Sequence, residues 1–374
     1  MAVRRLPYFL FSKRTLFNLI IIVGVGTFLL SVFSMTDILV LSRKNRYSSA
    51  TTKMSIEELF MKPNAKPVSL YKATTNDPTD DDPEVKEKKV AEFNNRLSEK
   101  CEKLDMTSQY NSSLAMQKVV RKLQHIFVVD DYKLLFCYVP KVACTNWKRL
   151  LLILKGVPNM TNTKDHMQIH ISADANLRTL SSFPFEQAMF RLQNYTKVMF
   201  VREPFTRLLS AYRDKLEKTG RIDSSRFRRD WGARMKNIHV PAGTEFDVTF
   251  YDFASYLADP KNLLNKYEDE HWSPIFSLCQ PCAVKYDFIG KMENLQRDTL
   301  YALTKVVQSN IDLKLLNSTN FTNSSDVKLL QKYFSLIPVQ TVRDLYKKYR
   351  PDFELFDYPF PWFAIDDFYF SQKK

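Results

Sequence analysis

Three short apolar runs, each followed by a stretch with helical spacing, constrain the fold of this sequence more than any other feature. The runs cover 134–139, 198–201 and 286–289, and the helical patterns cover 146–154, 205–216 and 294–308. In the second pattern the apolar positions 205, 208, 209, 212 and 216 fall on one helix face. Short buried strands that alternate with helices are typical of an α/β fold. The sequence therefore predicts a mainly parallel sheet flanked by helices.

A scarcity of glycine excludes two common nucleotide-binding loops. The 374 residues include seven glycines, far below the typical share of roughly 7%. No stretch matches GxGxxG or GxxxxGK[ST], so both the dinucleotide fingerprint and the Walker A loop are absent. Any phosphate site must be built from other residues.

An apolar segment near the start predicts a membrane anchor. No charged residue lies between 15 and 36, and residues 16–35 are mostly Leu, Ile, Val and Phe. A helix of that length rises roughly 30 Å, the thickness of a bilayer's hydrocarbon core. A cleaved signal peptide is the alternative, but its apolar region is usually about 7–15 residues and ends at a small-residue cleavage site. We interpret 1–15 as a cytoplasmic tail and 16–35 as a retained signal-anchor.

Sequons and cysteines indicate that the chain after the anchor is lumenal. The N-x-[ST] triplets are glycosylated only in the lumen, and all of them follow the predicted anchor. This position predicts a single-pass type II topology. The triplets begin at Asn111, Asn159, Asn194, Asn317, Asn320 and Asn323. Five cysteines fit one or two disulfides and a leftover thiol. Cys279 and Cys282 form a lone CxxC pair without further ligands at zinc spacing, so we predict a structural role for them.

Composition divides the lumenal part in two. Residues 36–110 are short of aromatics and rich in Lys, Asp, Glu, Thr and Pro, most clearly at 76–89. Such a segment buries too little apolar surface to offset the entropy of ordering. We predict a largely flexible stem at 36–110 that holds a lumenal domain, 111–374, away from the membrane.

The turns after the first two strands are candidate anion sites, because helix N-termini at the carboxyl ends of parallel strands bind anions. The first turn is PKVACTNW (140–147), whose small residues let the backbone wrap a phosphate while Lys141 adds a charge and Thr145 a hydroxyl. Trp147 either anchors the helix in the core or stacks on a base. The second turn begins at Arg202, where an anion would lie. Taken alone, each turn also fits an ordinary helix start with solvated charges.

Together, the two turns resemble the cofactor motifs of a known enzyme family. PKVACTNWKR (140–149) and VREPFTRLLSAYRDK (201–215) are similar to those of Golgi carbohydrate sulfotransferases. The closest resemblance is to the chondroitin, dermatan and other GalNAc 4-O-sulfotransferases, a family that also includes the HNK-1 sulfotransferase. It extends through 271–282, 286–295 and 345–358 and covers most of 125–358. The sequence departs from the family pattern most in the stem and at 217–250, so acceptor choice is less certain than the donor.

The resemblance implies that 3′-phosphoadenosine-5′-phosphosulfate (PAPS) donates the sulfate and that the fold is P-loop-related without a Walker A loop. By this resemblance Lys141 stabilises the leaving phosphate, and the first turn wraps the 5′-phosphosulfate with Pro140, Lys141, Val142, Ala143, Cys144, Thr145 and Asn146. Arg202 and Ser210 are implied to hold the 3′-phosphate. The segment between them completes that site with Glu203, Pro204, Phe205, Thr206, Arg207, Leu208 and Leu209.

Sulfate transfer to a hydroxyl also needs a base. Of the five histidines we favour His170, which aligns with a histidine of the family pattern; carboxylates such as Glu203 are the alternatives. His166 lies four residues earlier and could share a helix face with His170 as a metal ligand, but no third ligand is evident and we expect no metal. His271 is either structural or lines the acceptor cleft.

We therefore predict a Golgi membrane enzyme that transfers sulfate from PAPS to position 4 of GalNAc in chondroitin or dermatan. A net charge of +14 fits a polyanionic donor and acceptor. Nucleic acid is the generic partner of such a charge, but the lumenal location argues against it. Two alternatives stay open: another sugar acceptor (GalNAc on N-glycans or glucuronic acid), and a membrane-anchored, inactive glycan-binding relative. A nucleotide-sugar glycosyltransferase is disfavoured, because the acidic run at 80–82 lies in the stem with no strand before it.

Overall fold

The computed structural model describes residues 82–361 and 364, apart from 108–109, 111, 164, 218–221, 240, 242–243, 263–267 and 310–321. The predicted tail, the predicted anchor, most of the predicted stem and the sequons at Asn111, Asn317 and Asn320 lie outside the described residues. Within the described part of the chain, no helix is both long and apolar enough to cross a membrane. The side chains of Asn159, Asn194 and Asn323 are exposed.

A mixed sheet forms the centre of the described part. Its five strands are β1 (Ile126–Val129), β2 (Leu134–Cys137), β3 (Arg178–Thr179), β4 (Thr196–Val201) and β5 (Phe288–Lys291), in the spatial order β3-β1-β2-β4-β5. β2, β4 and β5 run parallel, whereas β1 pairs antiparallel with β2 and with β3. The prediction of a mainly parallel sheet is therefore wrong for β1, which pairs antiparallel with both of its neighbours. The short connection at 130–133 cannot cross over the sheet, so it forces β1 and β2 into a hairpin.

Helices flank this sheet, and those that we predicted follow their strands. Within the described residues the helices are α1 (Pro83–Lys103), α2 (Ser113–Val120), α3 (Cys144–Leu154), α4 (His166–Asn176), α5 (Phe185–Asn194), α6 (Pro204–Lys215), α7 (Ile222–Met235), α8 (Phe250–Ala258), α9 (Ile275–Cys279), α10 (Pro281–Val284), α11 (Leu295–Tyr301), α12 (Val327–Phe334) and α13 (Val339–Leu355). A π-helical turn, Ala302–Val306, continues α11. Helices α3 and α6 directly follow the two turns predicted to bind anions.

Local sequence explains where α3 and α6 begin and end. Helix α3 ends just before Gly156, whose φ of 74° lies in the left-handed region that glycine adopts readily. At the start of α6 the Glu203 carboxylate accepts hydrogen bonds from two backbone N–H groups, and Pro204 occupies the first turn. The apolar face predicted at 205–216 is buried, and Phe205 stacks on Phe334 with ring centroids 4.9 Å apart. This packing fixes α6 against the helices behind it.

The first helix and the disulfides move the boundary of the lumenal domain. Helix α1 lies inside the predicted stem, yet it buries Leu97 and Cys101, and Lys86 forms an ion pair of 2.7 Å with Asp298. Cys101 is bonded to Cys282. The start that we predicted at residue 111 is therefore too late, because a polar composition hid the apolar stripe of α1. The second disulfide joins Cys137 to Cys279, and Cys144 is a free thiol.

We expect these two disulfides in the purified, non-reduced protein, with Cys144 as the one cysteine that reacts with thiol reagents. Replacing both Cys101 and Cys282 by serine should lower the free energy of unfolding by about 2–4 kcal/mol, because the bond restricts the unfolded chain across a separation of 181 residues. Non-reducing peptide mapping identifies the disulfides, and urea denaturation measures the loss of stability. Cys144→Ser removes no disulfide and is the control. A peptide in which Cys279 is disulfide-bonded to Cys282 would contradict the pairing of Cys101 with Cys282 and of Cys137 with Cys279.

Candidate functional site

The turn between β2 and α3 has an unusual backbone for residues other than glycine. Lys141 and Ala143 both adopt left-handed conformations, with φ of 68° and 51°. Such conformations cost about 1–3 kcal/mol each and cluster at functional sites. Helix α3 begins at Cys144 without a capping side chain, so the N–H groups of its first turn have no intrahelical partner. Alternating backbone conformations of this kind expose N–H groups to an anion.

Arg202 brings the second turn against the first. β2 and β4 are parallel neighbours, so their carboxyl ends meet at one edge of the sheet. The Arg202 Nη1 donates a hydrogen bond of 3.0 Å to the carbonyl of Lys141. Its Nη2 donates to the hydroxyls of Ser324 and Ser325, at 2.9 Å each. The Nε of this buried side chain has no partner within the described residues.

Ser210 belongs to a hydroxyl cluster beside Arg202. Its Oγ lies 3.2 Å from Thr322 Oγ1, which in turn lies 3.0 Å from Ser324 Oγ. Arg213 of α6 donates to the Thr322 carbonyl. We define Ser210, Thr322, Ser324 and Ser325 as the hydroxyl cluster. Arg202 donates to Ser324 and Ser325, and Ser210 is linked to Ser324 through Thr322. Arg202 and Ser210, separated by two helical turns, converge on one place.

Lys141 is held at the same edge by an acidic partner. Its Nζ lies 3.2 Å from Asp214 Oδ2 on α6, and Lys215 Nζ lies 3.3 Å from the same oxygen. Burial lowers the pKa of Lys141, and the Asp214 carboxylate opposes that shift. Burial also tends to raise the pKa of Asp214, but the two ammonium groups outweigh it and lower this pKa to about 2. Asp214 is therefore ionised at neutral pH.

His170 of α4 contacts α3 through both of its ring nitrogens. Nε2 lies 3.2 Å from Thr145 Oγ1, and Nδ1 lies 3.2 Å from Lys148 Nζ. Because an ammonium group can only donate, Nδ1 accepts from Lys148 and Nε2 carries the ring proton. Burial, followed by the charge of Lys148, lowers the pKa of His170 to about 4. The ring is therefore neutral at physiological pH.

The remaining predicted residues have other contacts. Pro140 and Val142 are buried, and Trp147 stacks on Phe136 with ring centroids 4.3 Å apart, so it anchors α3 in the core. Arg207 donates to three backbone carbonyls: Pro140 at 2.9 Å, Ser273 at 2.7 Å and Glu270 at 2.9 Å. Of its neighbours on α6, Phe205, Thr206, Leu208 and Leu209 are buried as well. These side chains support the turns.

Comparison with known proteins decides the family. The family model described as "Sulfotransferase family" matches residues 124–359. The chain belongs to the sulfotransferase family. It is 35% identical over 264 residues to carbohydrate sulfotransferase 11 of Rattus norvegicus, covering 68% of this chain and 74% of that protein. It is 37% identical over 290 residues to carbohydrate sulfotransferase 14 of Danio rerio, covering 74% of each. It is also 35% identical over 269 residues to carbohydrate sulfotransferase 12 of Xenopus laevis. No solved structure matches it.

The donor that this family implies, PAPS, fits the residues of the two turns. A polyanion needs hydrogen-bond donors that the protein itself does not use. Besides Arg202 Nε, the Nδ2 of Asn146 is buried without a partner within the described residues. Both are donors, and both belong to the segments predicted to bind PAPS. In the part of the chain that the structure describes, no group of three or more His, Cys, Asp or Glu side chains could hold a metal ion.

Sequence reasoning missed several residues of this sulfotransferase that border the site. Asp214 lies four residues after Ser210 on α6, and that helical spacing next to a predicted anion site was the available clue. Lys148 follows Thr145 by three residues in the same way. Thr322 and Ser324 come from a segment more than a hundred residues away, at a separation of 112 from Ser210 to Thr322. No local pattern marks such a distant contact.

Proposed function

We propose that this sulfotransferase transfers sulfate from PAPS to a glycan hydroxyl, and that the acceptor is position 4 of GalNAc in chondroitin or dermatan. The names of its relatives support a carbohydrate acceptor. The resemblance of 140–149 and 201–215 to GalNAc 4-O-sulfotransferases supports the finer choice. The observation that carries the proposal is the 3.0 Å hydrogen bond from Arg202 to the Lys141 carbonyl, because it brings both anion-binding turns to one edge of the sheet.

A donor with phosphate groups on both sides of its nucleoside suits two adjacent anion sites. We assign the 3′-phosphate to Arg202 and the hydroxyl cluster. The 5′-phosphosulfate is assigned to the turn 140–146, where Asn146 and the backbone N–H groups at the start of α3 supply donors. Each assignment includes one buried donor atom without a partner within the described residues, Arg202 Nε for the first and Asn146 Nδ2 for the second.

The chemistry assigned to Lys141 follows from the charge that builds on the leaving group. PAPS, when bound, supplies an activated sulfuryl group, and its transfer puts negative charge on the departing phosphate. A fixed ammonium group stabilises that charge most in the transition state. Asp214, which also forms an ion pair with Lys215, holds Lys141 beside the turn. His170, the base favoured by the sequence, is within hydrogen-bond distance of Thr145 on the donor-binding turn.

We also propose a single-pass type II protein of the Golgi membrane, anchored by 16–35 and glycosylated at some of its sequons. The support comes from the uncharged segment and from sequons that all follow it; Asn159, Asn194 and Asn323 are exposed. A glycan-binding relative without activity is the second candidate. Intact Lys141, Thr145, Arg202 and Ser210 favour the enzyme over it.

Transfer of radiolabelled sulfate from PAPS to desulfated chondroitin tests the proposal. With the full-length chain we expect labelled chondroitin, and disaccharide analysis should find the sulfate on position 4 of GalNAc. Label on glucuronic acid, or on GalNAc of an N-glycan alone, would reassign the acceptor. A chain that binds chondroitin but transfers no sulfate would favour the inactive relative.

Arg202→Ala should weaken binding of the product 3′-phosphoadenosine 5′-phosphate (PAP) by about 10–100-fold, since a hydrogen bond to a charged group contributes about 1.5–3 kcal/mol. Ser210→Ala should have a smaller effect in the same direction. Titration calorimetry measures both, with the exposed Arg226→Ala as a matched control. Adenosine 5′-phosphosulfate lacks the 3′-phosphate, so its affinity should change little. An equal loss for both nucleotides would contradict the 3′-phosphate assignment.

A further inference from the structure

A second histidine lies near the proposed site, held by a carboxylate. His271 Nδ1 lies 2.7 Å from Asp269 Oδ1, and the His271 backbone N–H donates to the same oxygen at 2.9 Å. Burial tends to raise the pKa of Asp269, but the hydrogen bond from His271 outweighs it and the pKa is lowered. Because the carboxylate can only accept, Nδ1 carries a proton, and in the neutral imidazole Nε2 is the atom with the lone pair. No described residue forms a hydrogen bond with Nε2.

A chain of contacts through Phe227, Lys215 and Asp214 links this histidine to Lys141. The edge of the His271 ring packs against the ring of Phe227, at a centroid distance of 5.3 Å. The ammonium group of Lys215 lies 5.1 Å from the centroid of the same Phe227 ring. Lys215 and Lys141 share the Asp214 carboxylate, at 3.3 and 3.2 Å. An electrostatic interaction also links His271 to His170, so both imidazoles lie in one region.

The loop that carries His271 is fixed to the donor-binding turn. Arg207 donates to the carbonyls of Glu270 and Ser273 on either side of His271, and to the carbonyl of Pro140 before Lys141. One buried guanidinium therefore sets the separation of the two segments. The side chains of His271 and Asp269 are 18% and 20% exposed, so both are partly accessible from solvent.

The surroundings of His170 suit a different role. Lys148 occupies the acceptor nitrogen of its ring and Thr145 the other nitrogen. Its pKa of about 4 makes it a weak proton acceptor at neutral pH, where an effective base has a pKa near the working pH. Its two hydrogen bonds instead orient a hydroxyl and an ammonium group on α3. His170 therefore lacks the free acceptor atom that His271 has.

We propose that His271 is the general base of the reaction, that Asp269 positions it, and that His170 orients Thr145 and Lys148. This assignment rests on the proposed sulfate transfer. In the step, the acceptor oxygen forms a bond to sulfur while the bond from sulfur to the bridging oxygen of PAPS breaks. That electron pair stays on the phosphate of the departing PAP. The hydroxyl proton goes to Nε2 of His271, and Asp269 remains a carboxylate beside the imidazolium.

Kinetics of alanine variants separate the two histidines. In full-length protein with PAPS and desulfated chondroitin, His271→Ala should lower kcat by about 10²–10⁴-fold and leave the affinity for PAP unchanged. Added imidazole should restore part of the activity, since the lost group is a proton acceptor. His170→Ala should lose less and show no rescue by imidazole. The exposed His239→Ala is the matched control and should equal the wild type.

Two further variants test the positioning role and guard against misfolding. Asp269→Asn should lower kcat without raising KM for PAPS, because it disturbs the base and not the donor site. His271→Asn keeps a donor for Asp269 and should lose as much activity as His271→Ala. Near-normal kcat in folded His271→Ala, or imidazole rescue of His170→Ala in its place, would overturn the assignment. A wild type that binds PAP but transfers no sulfate would instead overturn the proposed function, and the assignment with it.

Discussion

Lys141→Ala should lower kcat for sulfate transfer by about 10²–10³-fold, the usual loss when one preorganised transition-state donor is removed. The structure gives the physical reason. The ammonium group lies in a mostly buried position with its side chain 16% exposed, where a charge acts more strongly than in water. Asp214 holds it next to the left-handed turn that we assign to the 5′-phosphosulfate. Affinity for PAP should fall less than kcat, because the charge of Lys141 matters most as the bond breaks.

Steady-state kinetics with PAPS and desulfated chondroitin, together with calorimetry of PAP binding, measure the two quantities separately. Lys118→Ala on α2 removes an exposed lysine and is the matched control for net charge. Lys141→Arg should recover little activity, since a planar guanidinium does not reproduce the position of a compact ammonium group. If the Lys141→Ala enzyme kept a turnover within about threefold of wild type, Lys141 would not be a group that stabilises the transition state.

The parts of the fold that the sequence predicted are those encoded by local patterns. The apolar runs predicted β2, β4 and β5, and the periodicity after Arg202 predicted the buried face of α6, because burial imposes those spacings directly. The strand pattern placed both turns at the ends of strands, and the pairing of Arg202 with Ser210 was implied by the family resemblance. The resemblance to a sulfotransferase family, which the family model confirms, added the reason to treat Ser210 as more than an ordinary helix residue.

The parts that the sequence did not predict depend on long-range contacts. Helix α1 is polar on most of its surface, so its sequence does not predict that it packs on the domain. Its few buried residues include Cys101, whose disulfide partner Cys282 lies 181 residues away. Likewise, the sequence did not predict that Lys148 contacts Nδ1 of His170, the contact on which our proposal of a different base rests. A sequence gives the types of residue at a site but not which nitrogen of an imidazole is already occupied, and that detail decides the chemistry.

Arg207→Met should lower the free energy of unfolding by about 3–5 kcal/mol, a large fraction of the roughly 5–15 kcal/mol that stabilises a typical domain. The side chain is 2% exposed, and each of its three hydrogen bonds ends on a backbone carbonyl. Methionine fills similar volume but leaves these carbonyls without their donor, and an unsatisfied buried polar group costs about 1–3 kcal/mol. Burial also raises the pKa of the nearby Asp352 to about 6, a rise that the charge of Arg207 limits.

Urea denaturation measures the effect as a shift of the transition midpoint at constant slope. Arg226→Met removes an exposed arginine whose ion pair with Asp230 spans 3.6 Å, and should change the stability by less than about 0.5 kcal/mol. Arg207→Lys keeps the charge but cannot reach three carbonyls at once, so it should fall between wild type and Arg207→Met. If the lysine variant were as stable as the wild type, the positive charge at position 207 would account for the stability and the three hydrogen bonds would not. Because Arg207 joins the turn that we assign to the donor to the segment around His271, we expect the lysine variant to lose activity even where it stays folded.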